Sequence, residues 1–387
     1  MMLGICLGLL LVLQTGMENI FSIQVPLDHF NSGSREITID YSISGIFDSS
    51  KPTVFYLEDP VDSAFGYLGI PTELKSQFNI VSIQGRYQSN ELIDFLENRN
   101  ESDWELNYIL LNQRQVSEDL ELIRRKLLGN EKVTLLGYSS SATVLHYYLS
   151  LYPDQVSTMI SLSPMFFDVE GNLSFWNQFS FIEEKVEYLG ADQIADFAYY
   201  SKEDFFNSSK SEKDSLLFSA LNQFKTDKRL GFSELKFKSI PLRVRAFELL
   251  YPTAPFSETT SKTLKSFLRM ASPIFDTFKK KTFLVYGLNF DKGLEFEGKV
   301  VFIGGAFDLL LNPKILDVMA EFYPNSTLLQ LRDGHALRTF QSWDCYSAFL
   351  EAFISNRQAS KIRVYEDLKK AHLLYLKSDY NSVKVKN

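Results

Sequence analysis

Gly137-Tyr138-Ser139-Ser140-Ser141-Ala142 directly follows the apolar run Val133-Thr134-Leu135-Leu136 and directly precedes a helical pattern over Thr143 to Leu151. Strand, sharp turn, then helix is the setting in which a serine sits on a strained turn with its hydroxyl exposed above a parallel sheet. The N–H of the following residue then helps to bind an oxyanion. Ser139 is therefore the candidate nucleophile and Ser140 a candidate oxyanion donor. A glycine and a serine two residues apart form a common string in any serine-rich chain, so the weight of this reading rests on its partners further along the chain.

In that setting an acidic residue and a histidine come later, in that chain order, each just past a strand. Val300-Val301-Phe302-Ile303 is a short apolar run of the kind expected of a buried parallel strand, and Gly304-Gly305-Ala306-Phe307-Asp308 comes directly after it. A second β-rich run, Thr327-Leu328-Leu329-Gln330-Leu331, leads into Arg332-Asp333-Gly334-His335, where the glycine lets the loop turn and present the imidazole. Ser139, Asp308 and His335 together make a candidate catalytic triad. The other histidines are poorer candidates: His29 lies before the sheet core, His372 in the charged tail, and His146 two turns into the helix after Ser139, where it reads as a packed residue.

The chain has 387 residues, 45% of them hydrophobic, enough for one large core with an inserted subdomain. The net charge of −8 and the absence of a long basic stretch leave no electrostatic footprint for nucleic acid. No Cys/His cluster has metal-ligand spacing and no glycine-rich phosphate loop follows a strand, so neither metal nor cofactor is expected. Leu3 to Leu13 is too short to span a bilayer and has the length of a signal-peptide core. A leader over 1–16 would make the protein secreted or periplasmic, although no lysine or arginine precedes the apolar run. If Met17 is the true start, the protein is cytoplasmic. Of two cysteines, Cys6 falls in that leader, so a processed chain would carry Cys345 as its one thiol.

Ile23 to Leu27 and the alternating Ile37 to Ile43 read as antiparallel edge strands, and Thr53 to Leu57 and Asn79 to Ile83 as denser apolar strands. Ser117 to Leu128 has helical spacing in Leu120, Ile123, Leu127 and Leu128. The alternation predicts a mostly parallel, doubly wound α/β sheet, with ligands bound beyond the carboxyl ends of its strands. Between residues 165 and 297 no β-strand signal occurs, and aromatic and charged residues recur at helical spacings. This predicts a helical cap inserted between core segments 17–164 and 298–356. Its aromatics Phe166, Phe167, Phe175, Trp176, Phe179, Phe181, Tyr188, Tyr199 and Tyr200 would pack cap helices together or line a pocket. The tail, 357–387, is basic and reads as a solvated helix over Val364 to Leu376.

These residues resemble the α/β-hydrolase peptidases of the proline iminopeptidase and tripeptidyl aminopeptidase group. The resemblance rests on Val25-Pro26-Leu27-Asp28 with its glycine turn and alternating strand, and on Asp119-Leu120-Glu121-Leu122-Ile123-Arg124-Arg125. It rests also on Tyr147-Tyr148-Leu149 running into Tyr152-Pro153-Asp154-Gln155-Val156, an ending shared with many other α/β-hydrolases. It implies the α/β-hydrolase fold and removal of residues from a free peptide N-terminus, with cap carboxylates, for which Glu183, Glu184 and Glu187 are candidates, holding the substrate ammonium. Cys345 falls where relatives carry a cysteine whose expected partner is missing here.

The chain departs from that group at two places that bear on chemistry. Where the group has His-Gly-Gly-Pro-Gly, whose backbone supplies an oxyanion donor, this chain reads Leu57-Glu58-Asp59-Pro60-Val61. The second donor would then come from Glu58 or Asp59, whose carboxylates, if turned inward, would oppose an oxyanion or recognise an ammonium. Ser141 stands where the group has glycine, and Gln84-Gly85-Arg86-Tyr87 keeps only the arginine of Asp-Gln-Arg-Gly, giving Arg86 a structural role. The expected substrates are thus short peptides or acyl esters. Three readings stay open: a serine exopeptidase of aminopeptidase type, a carboxylic-ester hydrolase using the same triad, and a hydrolase-fold binding protein whose oxyanion loop has decayed.

Overall fold

Strands with apolar side chains on both faces are stable only between two layers of helix. The computed structural model describes residues 18–65, 68–99, 103–166, 239–251, 262–288, 293, 295–308 and 310–375. Eight strands, β1 (Glu18–Pro26), β2 (Glu36–Ser44), β3 (Thr53–Leu57), β4 (Asn79–Ile83), β5 (Val133–Tyr138), β6 (Val156–Leu162), β7 (Lys299–Gly305) and β8 (Ser326–Leu331), form one sheet in the order β1-β2-β4-β3-β5-β6-β7-β8. The β1·β2 and β2·β4 pairings are antiparallel and the rest are parallel. The apolar runs occupy the middle of the sheet: every residue of β3 and β5 is buried, while β2 alternates at its start.

The described helices, in chain order, begin with α1 (Pro60–Phe65), α2 (Thr72–Gln77), α3 (Asn90–Asn98), α4 (Trp104–Leu111), α5 (Gln113–Leu128) and α6 (Ser139–Leu151). After them come α7 (Ile240–Leu250), α8 (Lys262–Lys280), α9 (Ile315–Glu321), α10 (Arg338–Gln341), α11 (Tyr346–Ile354) and α12 (Gln358–Lys370). α5 begins one turn before the apolar spacing predicts. Asn112 caps it by accepting from the N–H groups of Arg114 and Gln115, and its first turn is polar yet buried.

Within 165–297 the described residues form α7 and α8 and no strand. The expected leader, all the named cap aromatics except the buried Phe166, and Glu183, Glu184 and Glu187 lie outside the described residues. The tail differs from the expected solvated helix. α12 buries Lys361, Val364 and Leu368, and the chain then returns to the sheet. Leu374 bridges Leu331, the Arg332 N–H donates to Leu373 O and the Tyr375 N–H to Gln330 O, so the tail braces the strand that leads to His335.

Candidate active site

The register sets Tyr138 at the end of β5 beside Leu162 of β6, and Gly305 at the end of β7 beside Leu331 of β8. Ser139, Asp308 and His335 therefore leave the sheet at the same edge, beyond the carboxyl ends of its strands. Ser139 has φ 51°, in the left-handed region that side chains other than glycine seldom adopt. The turn is fastened from within: the Ser141 hydroxyl donates to Tyr138 O at 2.6 Å and accepts from the Tyr138 N–H at 3.0 Å. A Cβ on Gly137 would lie 2.5 Å from the Ala142 Cα, so the close strand-to-helix approach falls at Gly137 and Ala142, and a serine is accommodated at 141.

Asp308 and His335 are brought together by an equally close approach. A Cβ on Gly305 would lie 2.3 Å from Asp333 O, so only glycine lets the loop after β7 touch the loop after β8. The Asp333 carboxylate accepts from the N–H groups of Gly334 and Phe340 and shapes the second loop around His335. Asp308 Oδ1 accepts from the N–H groups of Leu310 and Leu311, which leaves Oδ2 to accept from His335 Nδ1 at 2.7 Å. On the other side of the ring, Nε2 lies 3.0 Å from Ser139 Oγ. With Nδ1 carrying the proton, Nε2 is left as the base toward the serine hydroxyl, the arrangement that activates such a nucleophile. Ser139 and His335 are fully buried.

The other histidines are placed elsewhere. His146 is buried on α6 against Tyr323 and Ser161, stacked on Phe302, and burial lowers its pKa to about 3, which keeps it neutral. His29 binds Asp119 at 2.7 Å.

The oxyanion residues read from sequence are placed differently from expectation. The Glu58 N–H donates to Ile83 O at 2.9 Å and so extends the β3·β4 ladder by one residue, and the Glu58 side chain accepts from Gln88. Glu58 is therefore no oxyanion donor. The Asp59 carboxylate is fully buried, caps α1 by accepting from the Val61 N–H, and binds Arg245 Nε at 2.9 Å. The Ser140 N–H is engaged within the protein. It donates to Asp62 Oδ1 at 3.0 Å, and the Ser141 N–H donates to Asp62 Oδ2 at 3.0 Å.

Asp62 was missed by the sequence reading, as were Arg245 and Glu248 of α7. Asp59 followed by Pro60 is a helix-start signal and could have placed Asp62 on the first turn of α1; what it faces could not be read. Arg245, fully buried, binds Asp59, Glu248 Oε2 at 2.5 Å, and the carbonyl and hydroxyl of Ser140. Burial, and then the charge of Asp59, raise the Asp62 carboxyl well above the usual carboxylate range. Burial also outweighs Arg245 at Glu248, whose pKa is pushed up from 4.5 to about 7. A carboxyl raised on folding adds stability below its unfolded pKa and loses it as the pH climbs through the folded one. Stability is therefore expected to fall between pH 4.5 and 7, by up to about 3 kcal/mol from this group. Urea denaturation at several pH values should show that slope, and Glu248→Gln should flatten it; an unchanged slope would refute the assignment.

Beside the elbow lies a cavity of about 210 Å³ lined by Thr143, Met165, Phe166, Glu248, Leu249 and Leu288, among others. Among the described residues, no group of three or more histidines, cysteines or acidic residues could hold a metal ion, and no helix is long and apolar enough to cross a membrane. A family model described as alpha/beta hydrolase fold matches residues 101–337, more than half of the chain and the span that contains the elbow, Asp308 and His335. The chain belongs to the alpha/beta hydrolase fold family.

Solved structures similar to this chain include Rv0554 from Mycobacterium tuberculosis, at 16% identity over 87% of this chain and 99% of that one, with a TM-score of 0.46. An acetylester hydrolase from Corynebacterium glutamicum is 12% identical over 91% of this chain and 97% of its own, at a TM-score of 0.44. The hydrolase olei00960 from Oleispira antarctica is 16% identical over 82% and 94%, at 0.42. No curated protein matches this chain.

Proposed function

We propose that this protein is a serine hydrolase working through Ser139, His335 and Asp308, and within that class an exopeptidase that removes residues from peptide N-termini. The observation that carries the first part is the hydrogen-bonded chain from Ser139 Oγ through both nitrogens of His335 to Asp308 Oδ2. In the proposed reaction Ser139 Oγ bonds to the acyl carbon while His335 Nε2 takes the hydroxyl proton. His335 then gives that proton to the leaving amine as the scissile bond breaks, and water releases the acyl group by the same steps in reverse order. Asp308 holds the ring in its tautomer and stabilises the imidazolium.

The peptidase part is supported by the sequence resemblance and by Arg86, the residue kept from that group's Asp-Gln-Arg-Gly, which binds Asp119 inside one of the resembling stretches. An ester hydrolase is the second reading, favoured by the apolar share of the cavity lining: Met165, Phe166, Leu249 and Leu288. Turnover of aminoacyl arylamides that Ser139→Ala abolishes is the expected result. Cleavage of short acyl nitrophenyl esters without arylamide turnover would select the ester reading, and turnover of either that survives Ser139→Ala would refute the serine mechanism.

A further inference from the structure

An oxyanion is stabilised by donors 2.7–3.1 Å from the place where its charge develops. In this protein a carboxylate oxygen already fills that place at the elbow: Asp62 Oδ1 lies 3.0 Å from the Ser140 nitrogen, and Oδ2 takes the neighbouring N–H of Ser141. One N–H cannot serve Asp62 and a substrate oxyanion in good geometry. A helix cap for α6 would be a simpler role for Asp62, but two observations set it apart from one. The turn is already fastened by the Ser141 hydroxyl on both backbone groups of Tyr138. Asp62 is also 1% exposed and buried with two more acidic side chains, Asp59 and Glu248, that share the guanidinium of Arg245, whereas a serine or asparagine cap would add no third acid there.

We infer that Asp62 is a built-in occupant of the oxyanion site: it holds the enzyme in a closed state in which Ser139 is paired with its base but the N–H groups of Ser140 and Ser141 are withheld from a carbonyl oxygen. The inference rests on the serine-hydrolase reading. Acyl transfer requires the carboxylate to leave the N–H groups of Ser140 and Ser141, so Asp62 is a positioning residue whose removal opens the site. A structural cap would behave in the opposite way, because its removal loosens the elbow and lowers reactivity.

The test is the rate at which a fluorescent fluorophosphonate labels the full chain. In that reaction a bond forms between Ser139 Oγ and phosphorus, the phosphorus–fluorine bond breaks, fluoride leaves and His335 takes the serine proton, while the phosphoryl oxygen needs the oxyanion donors. Asp62→Ala is expected to label at least tenfold faster than wild type, and up to roughly a hundredfold, the scale of one oxyanion donor. Asp62→Ser, one bond too short to hold both N–H groups, carries the same comparison if the alanine variant does not fold, with thermal unfolding as the check. A Ser139→Ala/Asp62→Ala double variant should not label. Labelling of a folded Asp62 variant at or below the wild-type rate overturns the inference while leaving the hydrolase reading intact; no labelling of either protein overturns both.

Discussion

Replacing His335 by glutamine is expected to slow fluorophosphonate labelling of Ser139 by about 10⁴-fold or more, the size of effect seen when a triad member is lost. The geometry makes the loss specific. Ser139 Oγ has His335 Nε2 at 3.0 Å as its proton acceptor, and the ring is aimed by Asp308 at 2.7 Å. Glutamine can fill much of the volume and still accept a hydrogen bond, but its amide has no basicity near neutral pH, so the hydroxyl keeps its proton and the nucleophile is lost. The histidine is fully buried beside Tyr138, with ring centroids 6.4 Å apart, so the variant should be compared with wild type by thermal unfolding. Labelling of folded His335→Gln within tenfold of wild type would show that another base serves Ser139 and would remove the triad from the proposal. Measured in the Asp62→Ala background as well, the same substitution separates the two effects, because one removes the base and the other frees the donors.

Arg86→Met is expected to destabilise the fold by about 3–5 kcal/mol, the range for removing one partner of a buried ion pair. Arg86 is fully buried and holds both oxygens of Asp119, through Nε at 2.6 Å and Nη2 at 2.8 Å. Its Nη groups also donate to the carbonyls of Pro26, Leu27 and Leu110, so one guanidinium ties the end of β1 and the end of α4 to α5. Burial would by itself raise the Asp119 carboxyl; Arg86, and then His29, more than offset it and hold the group below the usual carboxylate range. Without Arg86 that charge stays buried with His29 beside it. Adding Asp119→Leu should recover part of the loss, because it removes the uncompensated carboxylate. Urea unfolding decides the matter: a loss below about 1 kcal/mol for Arg86→Met, or no recovery in the double variant, would contradict this account.

This ion pair explains why two resembling stretches far apart in the chain occur together. Val25-Pro26-Leu27-Asp28 and the segment beginning at Asp119 meet at Arg86, and Gln115 completes the junction by accepting from the His29 N–H and donating to Asp28. The structural role given to Arg86 from sequence therefore agrees with what it touches. His146 is a similar case. Its position two turns into an apolar helix marked it as packed, and it is fully buried.

The residues legible in advance share one property: their positions follow from interactions a few residues long. Apolar runs set β3, β5 and β7, a tight turn sets Ser139 at the head of α6, and glycines set the loops that carry Asp308 and His335; hydrophobic period and turn chemistry decide each of these along the chain. The start of α5 was less legible, because Gln113 and Gln115 are polar yet buried, their amides satisfied by groups remote in sequence, among them Tyr286 O and Asp28.

The oxyanion side of the site was not legible at all. Whether Glu58 donates to a substrate or to Ile83 depends on how far the β3·β4 ladder runs. Arg245 reaches Asp59 across 186 residues. What Asp62 faces depends on how the amino ends of α1 and α6 converge, an angle set by packing. The sequence by itself thus determined the α/β sheet and the order of Ser139, Asp308 and His335 along its edge, because strand, turn and helix signals are local. Only the tertiary structure decided what occupies the N–H groups of Ser140 and Ser141, because a side chain is aimed at a distant backbone by the packing of the elements that carry both.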